Sequence, residues 1–150
     1  MFRMPAVFLL LIFIFPLSAF SQEIAETIPP HAIINASYVG DEKTVRELLA
    51  AGVDKDARDA LGASALHLAT MHTNHIIIKL LLDHGFNPNI RAEKSGNTPL
   101  HYAVAANNIG AVQLLIQYQA NRNLRNLEGL TPLEKARREG KDDIARILYR

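Results

Sequence analysis

The sequence predicts an all-α repeat solenoid, a row of helix-turn-helix units joined by short loops. Recurrence at one period is the first ground for this, because a missed repeat misassigns the whole fold. Ser64-Ala65-Leu66-His67, Thr98-Pro99-Leu100-His101 and Thr131-Pro132-Leu133-Glu134 superimpose at spacings of 34 and 33 residues. Leu48-Leu49-Ala50-Ala51-Gly52, Leu81-Leu82-Asp83-His84-Gly85 and Leu115-Ile116-Gln117-Tyr118-Gln119 form a second set in phase with the first. Gly40, Thr73, Asn107 and Gly140 form a third, spaced by 33, 34 and 33. The one extra residue therefore falls between Gly85 and Thr98, and is assigned to the loop Ala92–Asn97.

Each period also reads as two short helices. In the last unit Thr131 suits an N-cap, Pro132 the first helical position, and Glu134 completes a capping box. A first helix then runs to about Glu139 and Gly140 supplies the turn. A second covers Asp142–Tyr149, with Ile144, Ile147 and Leu148 on one face. The same reading predicts helices at about 32–38 and 42–50, 66–72 and 75–83, and 99–106 and 109–118. Gly52 and Gly85 lie just past helix ends, where a left-handed residue is favoured. Gln119 takes that place in the third unit, at a cost of the order of a kcal/mol if its φ is positive.

A single helix pair cannot bury both its faces, so neighbouring pairs must share a core. Leu66, Leu68, Ala69, Ile77, Leu80 and Leu81 are expected to pack on Leu100, Ala103, Val112 and Leu115. Leu133, Ala136, Ile144 and Ile147 form the next layer. Ala69, Ala103 and Ala136 share one register, where helices must approach closely.

Thr98-Pro99-Leu100-His101-Tyr102-Ala103-Val104 is close to the standard opening of the ankyrin repeat, and the chain resembles that family over roughly residues 31–150. The repeats are placed at about 31–58, 59–92, 93–125 and 126–150, the outer two degenerate. His31-Ala32-Ile33-Ile34 stands where the first should open, as expected of a unit that caps a stack. The resemblance implies a non-enzymatic module that binds a protein partner through its fingers and the exposed face of the first helices. Carried over, the short β-hairpin-like finger loops that the resemblance implies are roughly 55–63, 89–97 and 122–130, and the helix face comprises Tyr38, Val39, Met71, His72, Ala105, Ala106, Arg138 and Glu139.

Within that surface Arg58, Arg91 and Arg125 occupy one register of successive fingers, a row of planar forks suited to carboxylates. The plainer reading pairs them with Asp59, Glu93 or Glu128, or leaves them solvated, in which case they contribute little. Leu61, Ile90, Leu124, Leu127 and Leu130 lie in or near the fingers, and two or more left exposed would make a contact patch. The partner-binding candidates are Arg58, Leu61, Met71, His72, Arg91, Lys94, Arg125, Glu128 and Arg138.

Other chemistry finds little support. Five of the six histidines have structural readings: His67 and His101 sit in the repeat motif, where the resemblance gives the ring a turn-stabilising role. His72 and His75 flank an interhelix turn that breaks the helical spacing a shared metal needs. His84 suits a helix C-terminus and Asp142-Asp143 a helix start. No serine stands in a Gly-x-Ser-x-Gly setting, and the eight glycines are scattered rather than gathered in a phosphate loop. No cofactor is expected. Sixteen basic against fifteen acidic residues argue against a nucleic-acid partner. The eight basic and five acidic residues of 122–150 read as a solvated cap face. The absence of cysteine excludes disulfides, thiolate metal sites and lipidation on cysteine.

Residues 1–21 have a different composition. Arg3 is the only charge before Glu23, Ala6–Phe15 is an unbroken apolar run, and Ala19 and Ser21 are small residues two apart. This pattern predicts a secretory signal peptide cleaved after Ser21. The alternative is a retained membrane anchor over residues 5–20, although Pro16 interrupts a run already short of the roughly 20 residues that span a bilayer. Residues 22–30 then form a linker, and the mature chain, with fifteen residues of each charge, is expected to be a secreted or periplasmic monomer. Membrane contact is expected only if the first segment is retained.

Overall fold

A computed structural model describes residues 28–150 of the chain. The leader and most of the linker lie outside the described residues. Eight helices follow in order: α1 Ala32–Val39, α2 Glu42–Ala50, α3 Ala65–Ala69, α4 His75–Asp83, α5 Pro99–Ala105, α6 Ile109–Gln117, α7 Pro132–Arg138 and α8 Asp142–Tyr149. The described residues contain no strand, so the all-α solenoid predicted from the repeats is the observed architecture. First helices α1, α3, α5 and α7 stack in one layer, and second helices α2, α4, α6 and α8 in another.

Side-chain volume explains the layering. Ala36, Ala69, Ala103 and Ala136 are all buried at one register of the first helices, where a larger side chain would hold the layer apart. The core then runs through Leu66, Ile77, Leu81, Leu100, Val112, Leu115 and Ile144, as the spacing requires. Leu68, Leu80, Leu133 and Ile147, placed in the core from sequence, instead lie half-buried at its edge. Ile33, Ile34, Val45, Ile78, Phe86 and Val104 complete it.

Seven helices end within a residue or so of their expected positions. The eighth, α3, stops at Ala69 rather than at residue 72. Its last turn tightens, with Thr70, Met71 and His72 donating to carbonyls three residues back, and the Thr70 hydroxyl closes on the His67 carbonyl at 2.6 Å. The other interhelix turns use a left-handed residue, at Gly40, Asn107 and Gly140. The equivalent Thr73 does not adopt that conformation, which is unfavourable for a β-branched residue, and the turn opens earlier instead. The α4 end uses Gly85 with φ +81°, whereas Gln119 holds the same place after α6 with φ +60°.

The fingers are hydrogen-bonded turns between repeats. Asp59 N–H donates to Ala63 O and Asn126 N–H to Leu130 O, each spanning four residues. In the middle finger Ala92 N–H donates to Asn97 O across five, which places the extra residue in the predicted loop. Adjacent fingers are also joined, by Glu93 N–H to Gly62 O at 3.2 Å and Leu127 N–H to Ser95 O at 2.9 Å.

Candidate functional site

Finger shape is set by side chains that satisfy the turn backbone. The Asp59 carboxylate accepts from Leu61 and Ala63 N–H, both at 2.8 Å, and the Asn126 amide oxygen accepts from Glu128 and Leu130 N–H, both at 3.0 Å. The Asn126 amino group then reaches back to the Asn97 side chain at 2.8 Å. A turn held so firmly keeps its tip in the open. Leu61 is 57 % exposed and Leu127 70 %. Lys94 is exposed between them on the middle finger. Ile90 is buried, and Leu124 and Leu130 are half-buried beneath the fingers.

The three arginines do sit in successive fingers, but their partners differ from the acids nearest in sequence. Arg58 folds onto its own loop, donating to the carbonyls of Asp56 at 2.5 Å and Ala57 at 3.3 Å. Arg91 donates to the Arg125 carbonyl and so bridges two fingers. Arg125 donates to Gly129 O at 2.5 Å and grips Glu134 with both arms, at 2.7 and 3.2 Å. Glu134 also accepts from Thr131 N–H at 2.8 Å, and these bonds, the backbone one first, hold its carboxyl below the usual range. Glu128 pairs with Arg138 at 2.6 Å, both about half exposed. Turn carbonyls thus stand where Asp59 and Glu93 would have been the partners.

On the first-helix layer, Tyr38, Val39 and Met71 are exposed and His72 is half-exposed, with the Tyr38 and His72 rings meeting edge-on at 5.8 Å. Met71 borders a shallow cleft of about 260 Å³ shared with Tyr102, Ala105, Ala106, Asn97 and Lys135. Tyr102, half-buried, and Lys135, buried, carry no signal in the sequence as cleft residues. Tyr102 lies on the cleft because its ring packs edge-on against His67 at 4.8 Å, and Lys135 because Glu139 draws its ammonium to 2.7 Å.

His67 and His101 are fully buried. Each Nδ1 accepts from the N-cap backbone of its own helix, Ser64 at 3.1 Å and Thr98 at 3.2 Å. Each Nε2 meets a carbonyl of the next repeat, Asn97 and Leu130, both at 2.9 Å. The first contact follows from the motif; the second depends on repeat stacking and has no local signature. His75 spends its Nε2 on the Asn108 side chain at 2.9 Å rather than sharing a ligand with His72. Among the described residues no three His, Asp or Glu side chains gather as metal ligands, and no helix is long and apolar enough to cross a membrane.

The family model described as ankyrin repeats (3 copies) matches residues 33–126 and 93–150. The chain is an ankyrin-repeat protein. Its relatives include an ankyrin repeat protein of Rickettsia bellii (strain RML369-C), 32 % identical over 84 % of this chain and 70 % of that protein. An ankyrin repeat protein of Fowlpox virus (strain NVSL) is 38 % identical over 78 % of this chain, but only 35 % of its own length is covered. The Neurogenic locus Notch protein of Drosophila melanogaster is 40 % identical over 64 % of this chain, which spans 4 % of it. Ankyrin repeats in general mediate protein–protein interaction and are not enzymes.

Proposed function

We propose that this ankyrin-repeat protein is exported from the cytoplasm and binds a protein partner through its finger tips and first-helix surface, as a monomer in the periplasm or outside the cell. The observation that carries the binding reading is the apolar exposure on one working surface: Leu61 and Leu127 on the fingers, Met71 and Tyr38 on the helices. Large apolar side chains held out by a rigid frame are the kind of anchor around which protein contacts form. Export rests on the composition of residues 1–21 alone. The alternative, a scaffold tethered by residues 5–20, rests on the same segment.

Arg58, Arg91 and Arg125 hold finger backbone, so changing them would deform the surface under test. Leu61→Ser, Met71→Ser and Leu127→Ser leave that frame intact. The mature chain, residues 22–150, and its triple variant should melt alike. A partner captured from the source periplasm or medium should bind the variant at least about 30-fold more weakly, as for loss of a 2 kcal/mol contact centre. Equal binding by both proteins would sink the proposed surface. Intact mass of the exported protein addresses the leader: a chain beginning at Gln22 supports cleavage, and a full-length chain in the membrane fraction supports the tether.

A further inference from the structure

Two buried imidazoles bind the repeats together in one protonation state. A backbone N–H can only donate, so the contacts from Ser64 and Thr98 N–H require a lone pair on Nδ1 of His67 and of His101. The proton of each neutral ring then lies on Nε2, where it donates to Asn97 O or Leu130 O. A second proton would have to sit on Nδ1, donor against donor with the N-cap N–H, and the Ser64 or Thr98 hydroxyl 2.9 Å away would be left as its one acceptor in place of that backbone bond. The last repeat has no such constraint: Glu134 takes the same place, and its carboxylate accepts from Thr131 N–H at 2.8 Å.

We propose that His67 and His101 form an acid-operated latch, releasing the caps of α3 and α5 and the fingers they hold while the helix pairs remain stacked. The groups around each ring leave the neutral form favoured. His67 faces Arg58 and Asp59 of its own finger, and Tyr102 and His101 of α5. His101 faces Arg91 on the preceding finger, Glu128 on the following one and Lys135 on α7. The carbonyl bonds to Asn97 and Leu130 oppose burial most and the acids add to that, whereas the cations reinforce burial. Burial dominates, lowering His67 to about 4 and moving His101 in the same direction. In the open form each ring regains an ordinary imidazole near 6.5. The latch is therefore at full strength above about pH 6.5 and weakens as pH falls towards about 4. It needs no partner, so it does not rest on the proposed binding reading, although the fingers it holds carry Leu61 and Leu127.

Amide hydrogen exchange on the full chain, corrected for intrinsic rates, tests it at pH 7 and pH 5. Protection of the Ser64 amide is expected to fall about twentyfold between the two, from linkage alone. Thr98 should fall with it, Thr131 should hold, and helical circular dichroism should be unchanged. If all three amides lose protection together with helicity, acid simply unfolds the chain and there is no latch. Retained protection at Ser64 and Thr98 would equally overturn it. Glu134→His should make the Thr131 amide follow the other two. A Thr131 amide that stays protected in that variant while the new imidazole titrates counts against the latch.

Discussion

Two residues show how far a single side chain can depart from the repeat pattern. Gln119 sits at φ +60° where Gly52 and Gly85 stand in the preceding repeats. Its Cβ crowds the following carbonyl in that conformation, whereas glycine meets no such conflict. Gln119→Gly should therefore stabilise the chain by up to about 1 kcal/mol, or roughly 4 °C in Tm for a domain of this size. Thermal melts of the two proteins measure this, and an unchanged or lower Tm would mean the strain is relieved elsewhere. Gly110 departs in the opposite sense, a glycine inside α6. A Cβ there would lie 2.1 Å from the His75 ring, so the missing side chain makes room for that contact.

Among elements, the second helices differ in how their starts are held. Asn74 caps only its own helix, accepting from Ile76 N–H at 3.2 Å. Asn108 accepts from Ala111 N–H at 3.0 Å and from His75, and donates to the carbonyls of Thr70 at 3.0 Å and His72 at 2.6 Å. One amide thus caps α6 and closes the frayed end of α3 in the preceding repeat. Lys141 does the second task for α5, its ammonium reaching Val104 O at 2.6 Å and Ala105 O at 2.7 Å. Asn74→Ala should cost about 1 kcal/mol, the value of one cap. Asn108→Ala should cost about 2–3 kcal/mol, since it also strands half-buried carbonyls. Denaturant titration of both variants compares them, and equal losses would show that the links to the preceding repeat contribute nothing net.

At the scale of the molecule, stability belongs to interfaces between repeats rather than to any one of them. Ending the chain at Leu127 removes α7 and α8 and leaves the core faces of α5 and α6 facing water. The loss should appear as a Tm lower by of order 10 °C, and in broader unfolding because less of the stack unfolds together. An unchanged melt would mean the repeat boundaries are misplaced. The same architecture explains why the binding proposal concerns a surface rather than a pocket. Fingers and first helices can change at their tips while Ala36, Ala69, Ala103 and Ala136 keep the layers in place.

The sequence by itself determined the period, the helix pairs, the position of the extra residue and the small-residue register. Each of these is written locally, in caps, turn glycines and apolar spacing, and so survives without knowledge of neighbours. It also brought out the arginine row, but left open which of Leu61, Ile90, Leu124, Leu127 and Leu130 would be exposed. Only the tertiary structure decided what those arginines hold, because most of their partners are backbone carbonyls, which have no letter in a sequence, and the one side chain among them, Glu134, lies nine residues from Arg125 in the next helix. Stacking likewise decided that Tyr102 and Lys135 share a cleft with Met71, and that His67 and His101 bridge repeats 29 to 30 residues apart. The shorter α3 has instead a local reason, since the left-handed turn that Asn107 takes is unfavourable for a β-branched Thr73. Contacts whose energy depends on two repeats being side by side become visible only once they are.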